Sequence, residues 1–435
     1  MTKKIFFSAA LALGISLPMS AQQVDANGYT TVPATMGANY VNRVFFDFST
    51  GNLLSQAANN WDLALRRDHS MAFGTRVNDA RGIKVYQVSA NPADFDTVDI
   101  ANISNWGAPL YNPSETNNLF NGALEQTNIN TACSNPNFTY GWACYNMFTH
   151  KLEGKVVFVL KYPDNTYIKL FIDNYYHGYT FRYAKAGANG VWGNVITKTV
   201  PNGNDNKYFN YFSFQTDDQV ANNEPDKTEW DMMFTRYYYD FGSAGAPYYY
   251  QMSGVIQNPN VRVAKKVEQQ DVATFTQPAD ADYSDNITAI GHSYKQITTL
   301  IPDIVYYIKD NEDKYYRMYF TQNGGVANGN VFFKYKEITA QMATNEVNKD
   351  VKFGMYPNPA PNKQVSVIFD VKDEQKREGK IQVFDMSGRV VYETNISKTK
   401  GFFQKDLDLS QLKSGNYIVH FILGDYKTSK QLILK

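Results

Sequence analysis

Residues 61–68 read WDLALRRD, and residues 230–237 read WDMMFTRY. The order Trp, Asp, apolar run, basic residue is written twice. In the first copy Trp61, Leu63 and Leu65 alternate with Asp62, Ala64 and Arg66; in the second, Trp230, Met232 and Phe234 keep the same alternation. A period of two with one apolar face predicts a half-buried strand. Working outward, FFDFSTG (45–51) precedes the first segment and YFSFQTD (211–217) precedes the second. Further on, KVVFVLKYPDNTYIKLFI (155–172) lies over DIVYYIKDNEDKYYRMYF (303–320) without a gap, so that Lys169 matches Arg317. Each copy closes on an aromatic-basic-Tyr triplet, Phe181-Arg182-Tyr183 and Phe333-Lys334-Tyr335. Blocks recurring in one order predict an internal duplication.

Each long block holds two apolar runs, split by Pro163-Asp164-Asn165 in one copy and Asn311-Glu312-Asp313 in the other. That is the pattern of a hairpin. The run VVFVL is apolar on both faces and should lie inside a sheet rather than at its edge. The fold class expected is all-β: two tandem β-domains, residues 22–195 and 196–340, each burying its own tryptophan in its own interior.

Composition agrees. The 435 residues carry 42 basic and 42 acidic side chains, a balance that argues against a nucleic-acid binder, whose affinity rests on neutralising phosphates. Aromatic residues reach 15%, with 32 tyrosines, which suits strands. Lys3 and Lys4, an apolar run to about Leu17 and small residues ending at Ala21 have the layout of a cleaved signal peptide, residues 1–21. No later segment approaches the ~20 apolar residues of a membrane span. Only Cys133 and Cys144 occur, and in an oxidising compartment they should staple the loop CSNPNFTYGWAC. P-loop, Gly-x-Ser-x-Gly, His-Glu-x-x-His and Cys-x-x-Cys motifs are missing, and a non-enzymatic role is expected.

The sequence TAQMATNEVNKDVK turns polar, which suits a linker, residues 341–352. A third unit, 353–435, then reads as a small β-sandwich. Its Tyr356-Pro357-Asn358-Pro359, the FDMSGRVV hairpin, Gly415-Asn416-Tyr417 and the closing LILK resemble the type A C-terminal sorting domain of the type IX (Por) secretion system of Bacteroidetes. The resemblance implies that this tail engages the type IX machinery and that the body is secreted or held at the outer cell surface.

The two copies resemble the HmuY family of haem-binding surface proteins. The resemblance rests on the aromatic-Phe-x-Phe opening, the Trp-Asp segment, the Val-x-Phe-x-Leu-Lys hairpin with its Tyr-x-Lys or Tyr-x-Arg return, and the closing triplet. It implies an all-β fold in which haem is gripped between extended loops by two axial side chains. Iron takes His nitrogen or Met sulfur there. The loop regions that match offer Met147 and His150 in the first copy, near the Cys133–Cys144 loop, and Met252 and His292 in the second. Met232 and Met233 are expected to fill the core. A different reading gives RYYYDFG (236–242) and APYYYQ (246–251), with Trp106, Trp142 and Trp192, the role of an exposed aromatic platform for a glycan or protein partner. In the plainer alternative, alternate tyrosines pack inside.

Overall fold

The computed structural model describes residues 24–435 apart from 68–72, 129–132, 134–137, 244, 340–350, 373, 375–376 and 425. The signal peptide and nearly all of the linker lie outside the described residues. The chain forms two compact units, 1–338 and 339–435. Both are built from strands joined by turns and short 3-10 segments, an all-β architecture.

The larger unit contains the duplication, but its strands are exchanged. One five-stranded sheet runs in the order Thr30–Thr35, Asn330–Glu337, Tyr315–Asn323, Ile304–Lys309, Arg262–Val267. Its counterpart runs Ile196–Pro201, Gly178–Ala186, Tyr167–Tyr175, Val157–Lys161, Lys84–Ser89, with extra strands beside Tyr167–Tyr175. A four-stranded sheet of Asp218–Val220, Phe209–Ser213, Leu63–Arg66 and Thr75–Val77 likewise matches one of Leu53–Ala57, Asn42–Phe46, Met232–Asp240 and Tyr249–Gln257. The opening strands of the first copy therefore complete the sheets of the second copy, and the reverse.

This corrects the expected division. A boundary at 195/196 falls between Gly178–Ala186 and Ile196–Pro201, which are paired in one sheet. The strands between 63 and 220 form a first half, while those within 30–57 and 232–337 together form a second. Segments 58–62 and 221–231 carry the chain across the seam between them.

The Trp-Asp segments hold this exchange together. Asp62 Oδ2 accepts the Phe214 N–H at 2.6 Å, and Asp231 Oδ2 accepts the Phe48 N–H at 2.8 Å. The Asp62 N–H donates to Phe212 O and the Asp231 N–H to Phe46 O, each at 2.8 Å. Asn78 Nδ2 donates to Ala58 O and Trp61 O; Asn258 Nδ2 donates to Lys227 O and Trp230 O. Each Asp thus pins an exchanged strand by its backbone, and each Asn closes the turn before the strand. These are equivalent positions with equivalent bonds.

The tryptophans do not lie in separate interiors. Trp61 and Trp230 share one buried cluster with Phe45, Tyr211, Tyr237 and Ile256, contributed by both halves. Each half keeps its own core besides, one around Phe158, Phe181 and Phe212 and the other around Phe46, Phe234 and Phe333. Met232 fills the second core, and Met233 lies against the seam cluster. The strand Val157–Lys161 lies between two neighbours, and its apolar residues are fully buried. The matched cations of the long hairpins, Lys169 and Arg317, are both buried under an aromatic ring, Phe95 at 4.7 Å and Phe275 at 4.9 Å.

The smaller unit is a sandwich of a three-stranded sheet (Val351–Tyr356, Gln364–Val371, Gly401–Asp408) and a four-stranded one (Val390–Lys398, Arg377–Asp385, Gly415–Leu423, Tyr426–Leu434). Its motif residues have structural work. Asn358 donates to Gln431 O at 2.7 Å and accepts the Ile433 N–H at 2.9 Å, fastening the Tyr-Pro-Asn-Pro segment to the last strand. Asp385 Oδ1 accepts the N–H groups of Ser387 and Arg389 and so shapes the Ser387-Gly388 turn. The Tyr417 hydroxyl donates back to Lys413 O at 2.7 Å, in the manner of a tyrosine corner.

Candidate functional site

The second half presents a histidine set among aromatic rings. Strands Met232–Asp240 and Tyr249–Gln257 pair along their whole length, with Tyr237 opposite Met252. The segment 287–291 then lies against the second strand: the Val255 N–H donates to Gly291 O at 3.0 Å and the Gln257 N–H to Ile287 O at 2.8 Å. Such an approach needs glycine. A Cβ on Gly254 would stand 2.4 Å from Gly291 O, and Gly291 itself has φ +50°.

That approach delivers His292 to Tyr237, whose hydroxyl lies 2.9 Å from Nδ1. The rings of Tyr239 and Phe241 lie 4.7 and 5.5 Å from the imidazole. Burial holds the His292 pKa below its ordinary value, and the nearby Lys295 and Lys265 push the same way while Glu115 opposes them. The ring is therefore neutral at pH 7. With the proton on Nδ1 the tyrosine accepts it, and Nε2 keeps its lone pair. A ligating histidine is commonly steadied in this way through its other ring nitrogen. Lys295 is itself buried, donates to Ser253 Oγ at 2.7 Å, and has its pKa pushed down to about 8 by desolvation. Tyr239 donates to Glu115 Oε1 at 3.0 Å, so a loop of the first half braces the site.

The first-copy candidates have another setting. Met147 and His150 sit in the turn joining Ala143–Asn146 to Lys151–Gly154. Asn146 Oδ1 accepts the Phe148 and Thr149 N–H groups and tightens that turn. His150 Nδ1 is 2.9 Å from the Tyr145 hydroxyl, but Met147 is 60% and Phe148 97% exposed. Cys133 and Cys144 are disulfide-bonded at its base. The structure thus groups Met147 with His150, and Met252 with His292 around Tyr237, and keeps the pairs on different halves.

The tryptophans do not form a platform. Trp142 is 1% exposed in the first core, while Trp106 and Trp192 pack half-buried over the cluster containing Phe95 and Phe171. The tyrosine runs split. Tyr237 and Tyr238 are buried, whereas Tyr248, Tyr249 and Tyr250 are exposed at the hairpin end, with Tyr111 stacked on Tyr249 at 4.3 Å. The split follows the runs and not the expected alternation, since neighbouring Tyr237 and Tyr238 are both buried and three consecutive tyrosines are exposed; the part played by Tyr237 depends on a loop about fifty residues away and has no local signal. Among the described residues no group of three or more His, Cys, Asp or Glu is placed to hold a metal ion, and no helix is long and apolar enough to cross a membrane.

With this geometry in hand, the relatives can be placed. A family model described as HmuY protein matches residues 39–185, and one described as secretion system C-terminal sorting domain matches residues 354–435. No curated protein matches the chain. Among solved structures it is similar to dimeric latent PorU from Porphyromonas gingivalis, at 8% identity over 65% of this chain and 31% of that one, with a TM-score of 0.18. It is also similar to the trimeric ectodomain of the C. elegans fusion protein EFF-1, at 7% identity over 95% of this chain and 93% of that one, with a TM-score of 0.15. TM-scores of this size do not amount to a shared fold. The sorting domain directs the chain to secretion and the outer surface. The HmuY match starts before the opening strand Asn42–Phe46 and ends within Gly178–Ala186, so the sequence unit spans strands that belong to both folded halves.

Proposed function

We propose that the protein is a non-enzymatic, surface-directed haem-binding protein in which both copies are HmuY-like and the second copy carries the ligand site. The HmuY match to residues 39–185 supports the ligand class. The matching order of strands in the two halves supports extending the family to the second copy. One observation carries the choice of site: both His292 and His150 meet a tyrosine hydroxyl 2.9 Å from Nδ1, but only His292 is also walled by the Tyr239 and Phe241 rings, at 4.7 and 5.5 Å.

Haem, when bound, would supply an iron that takes nitrogen or sulfur on its faces. The residues present fit that need. His292 offers Nε2, Met252 on the paired strand offers the candidate second donor, Tyr239 and Phe241 offer apolar walls, and Lys265 and Lys295 offer charge for carboxylates. His150 and Met147 offer the same atoms without walls.

Titration of the full chain with haemin tests this. A Soret shift is expected, lost in His292→Ala and kept in His150→Ala. A haemin spectrum unchanged by the protein would remove haem and leave the exposed Tyr248–Tyr250 surface as a glycan or protein contact, read by a change in tyrosine fluorescence with polysaccharide.

A further inference from the structure

The seam between the halves holds a cavity of about 50 Å³ whose lining includes Arg43, Trp61, Trp230 and Arg236. Each of these four carries a buried N–H that no atom of the described residues accepts: Nε of the two arginines and Nε1 of the two tryptophans. Every one is a donor. Four unmet donors around one cavity call for an acceptor.

Charge points the same way. Arg43 is 3% exposed; Nη1 donates to Tyr211 Oη at 3.3 Å and Nη2 to Asn223 O, and the guanidinium lies 4.6 to 5.2 Å from the rings of Tyr211, Phe45 and Trp61. Arg236 donates to Gln251 Oε1 at 3.3 Å. Among the described residues neither has a carboxylate within ion-pair distance. Buried guanidinium groups are ordinarily paired, because an uncompensated charge in a low-dielectric interior is costly.

The acids in the same lining bond other groups directly, and Glu224 meets Arg43 through the Tyr211 hydroxyl that both contact. Glu224 accepts the Phe209 N–H at 2.7 Å and the Tyr211 hydroxyl at 2.9 Å, and burial pushes its pKa up to about 7. Asp79 accepts from Asn112 at 2.8 Å, stands 4.0 Å from Arg76, and is raised by burial to about 6.

We propose that this seam binds a small monovalent anion, of halide or formate size, between the indole N–H groups of Trp61 and Trp230 and the guanidinium groups of Arg43 and Arg236. One ordered water needs only ~10–15 Å³ of such space, so a larger guest fits. Water would accept hydrogen bonds but bring no charge. Because Arg43 and Trp61 belong to one copy and Trp230 and Arg236 to the other, the anion ties the copies together. This site is separate from His292 and does not depend on haem.

Bromide is the probe. Crystals of the full chain grown in sodium bromide should show an anomalous peak in the seam within hydrogen-bond distance of both indoles. Water alone there, or bromide only at the surface, overturns the proposal. In solution, chloride or bromide should raise the unfolding midpoint over sodium gluconate, too bulky to enter, at equal ionic strength. Equal midpoints overturn it as well. Trp61→Phe removes one donor and keeps an aromatic ring, and apparent halide affinity should fall about tenfold. An unchanged halide response in that variant counts against the site. If the variant fails to fold, the bromide crystal still decides.

Discussion

The halves of the larger unit have the same strand order, but they balance buried charge differently. In the first half Asp62 is fully satisfied: Oδ2 accepts the Phe214 N–H at 2.6 Å, while Oδ1 accepts the Tyr162 hydroxyl at 2.7 Å and an Arg81 N–H. In the second half the equivalent Asp231 accepts from Phe48 through Oδ2; among the described residues Oδ1 has no hydrogen bond of good geometry, only the nearby Asn311 N–H. Burial, with Asp310 and Asp47 nearby, pushes the Asp231 pKa up to about 7. For the long-hairpin cations the imbalance reverses. Lys169 donates to one carbonyl, Phe95 O at 3.1 Å, whereas Arg317 donates to Glu268, Tyr307, Tyr29, Gln269 and Gln270. Duplication preserved the backbone role of each position and let its electrostatics drift.

Three experiments would break or sharpen this contrast. The largest effect is expected at the cations. Arg317→Ala takes the cation from Glu268 and the donor from the Gln269 and Gln270 carbonyls, and should cost about 3–5 kcal/mol in chemical denaturation. Lys169→Met keeps the volume and loses one bond, and should cost less than ~1 kcal/mol. Equal losses would mean that the two networks contribute alike.

The next effect is at the acids. Asp62→Ala strands the Tyr162 hydroxyl and the Phe214 N–H and should cost about 2–3 kcal/mol. Asp231→Asn keeps the shape and removes a charge that burial disfavours, so at pH 8 it should be neutral or stabilising, as thermal melts of the two variants can show.

Counted per carboxyl and per pH unit, the smallest effect is in pH dependence. Asp79, Glu224 and Asp231 are buried carboxyls and Glu125 a half-buried one, all raised by desolvation from 3.8 or 4.5 to about 6 or about 7. A raised carboxyl pKa means that the folded chain holds its proton more tightly than the unfolded chain. The cost is therefore nil below the unfolded values and grows as pH rises through the folded ones. The unfolding midpoint should be higher at pH 5 than at pH 8. Asp231→Asn should flatten that slope by at most about 1.4 kcal/mol per pH unit; an unaltered slope would show that Asp231 ionises freely.

Much of this was legible before folding. The duplication, the hairpins and the sorting sandwich are written in local periods and turn residues: alternation in the Trp-Asp segments, Asp164 and Asp313 at the hairpin turns, Asn358 and Tyr417 in the tail. Of the candidate site, His292 and Met252 could be named from the sequence. Tyr237 as the partner of His292, and Glu115 reaching over from the first half, could not, because each contact joins elements distant along the chain.

By itself the sequence determined which segments become strands and which face of each is apolar, since side-chain alternation is a property of neighbours. Only the tertiary structure decided which opening strand pairs with which Trp-Asp strand. The two copies present nearly the same backbone donors and acceptors, so either pairing satisfies the local chemistry. The exchange is settled by how the whole chain packs, and with it the shared seam where Trp61 meets Trp230.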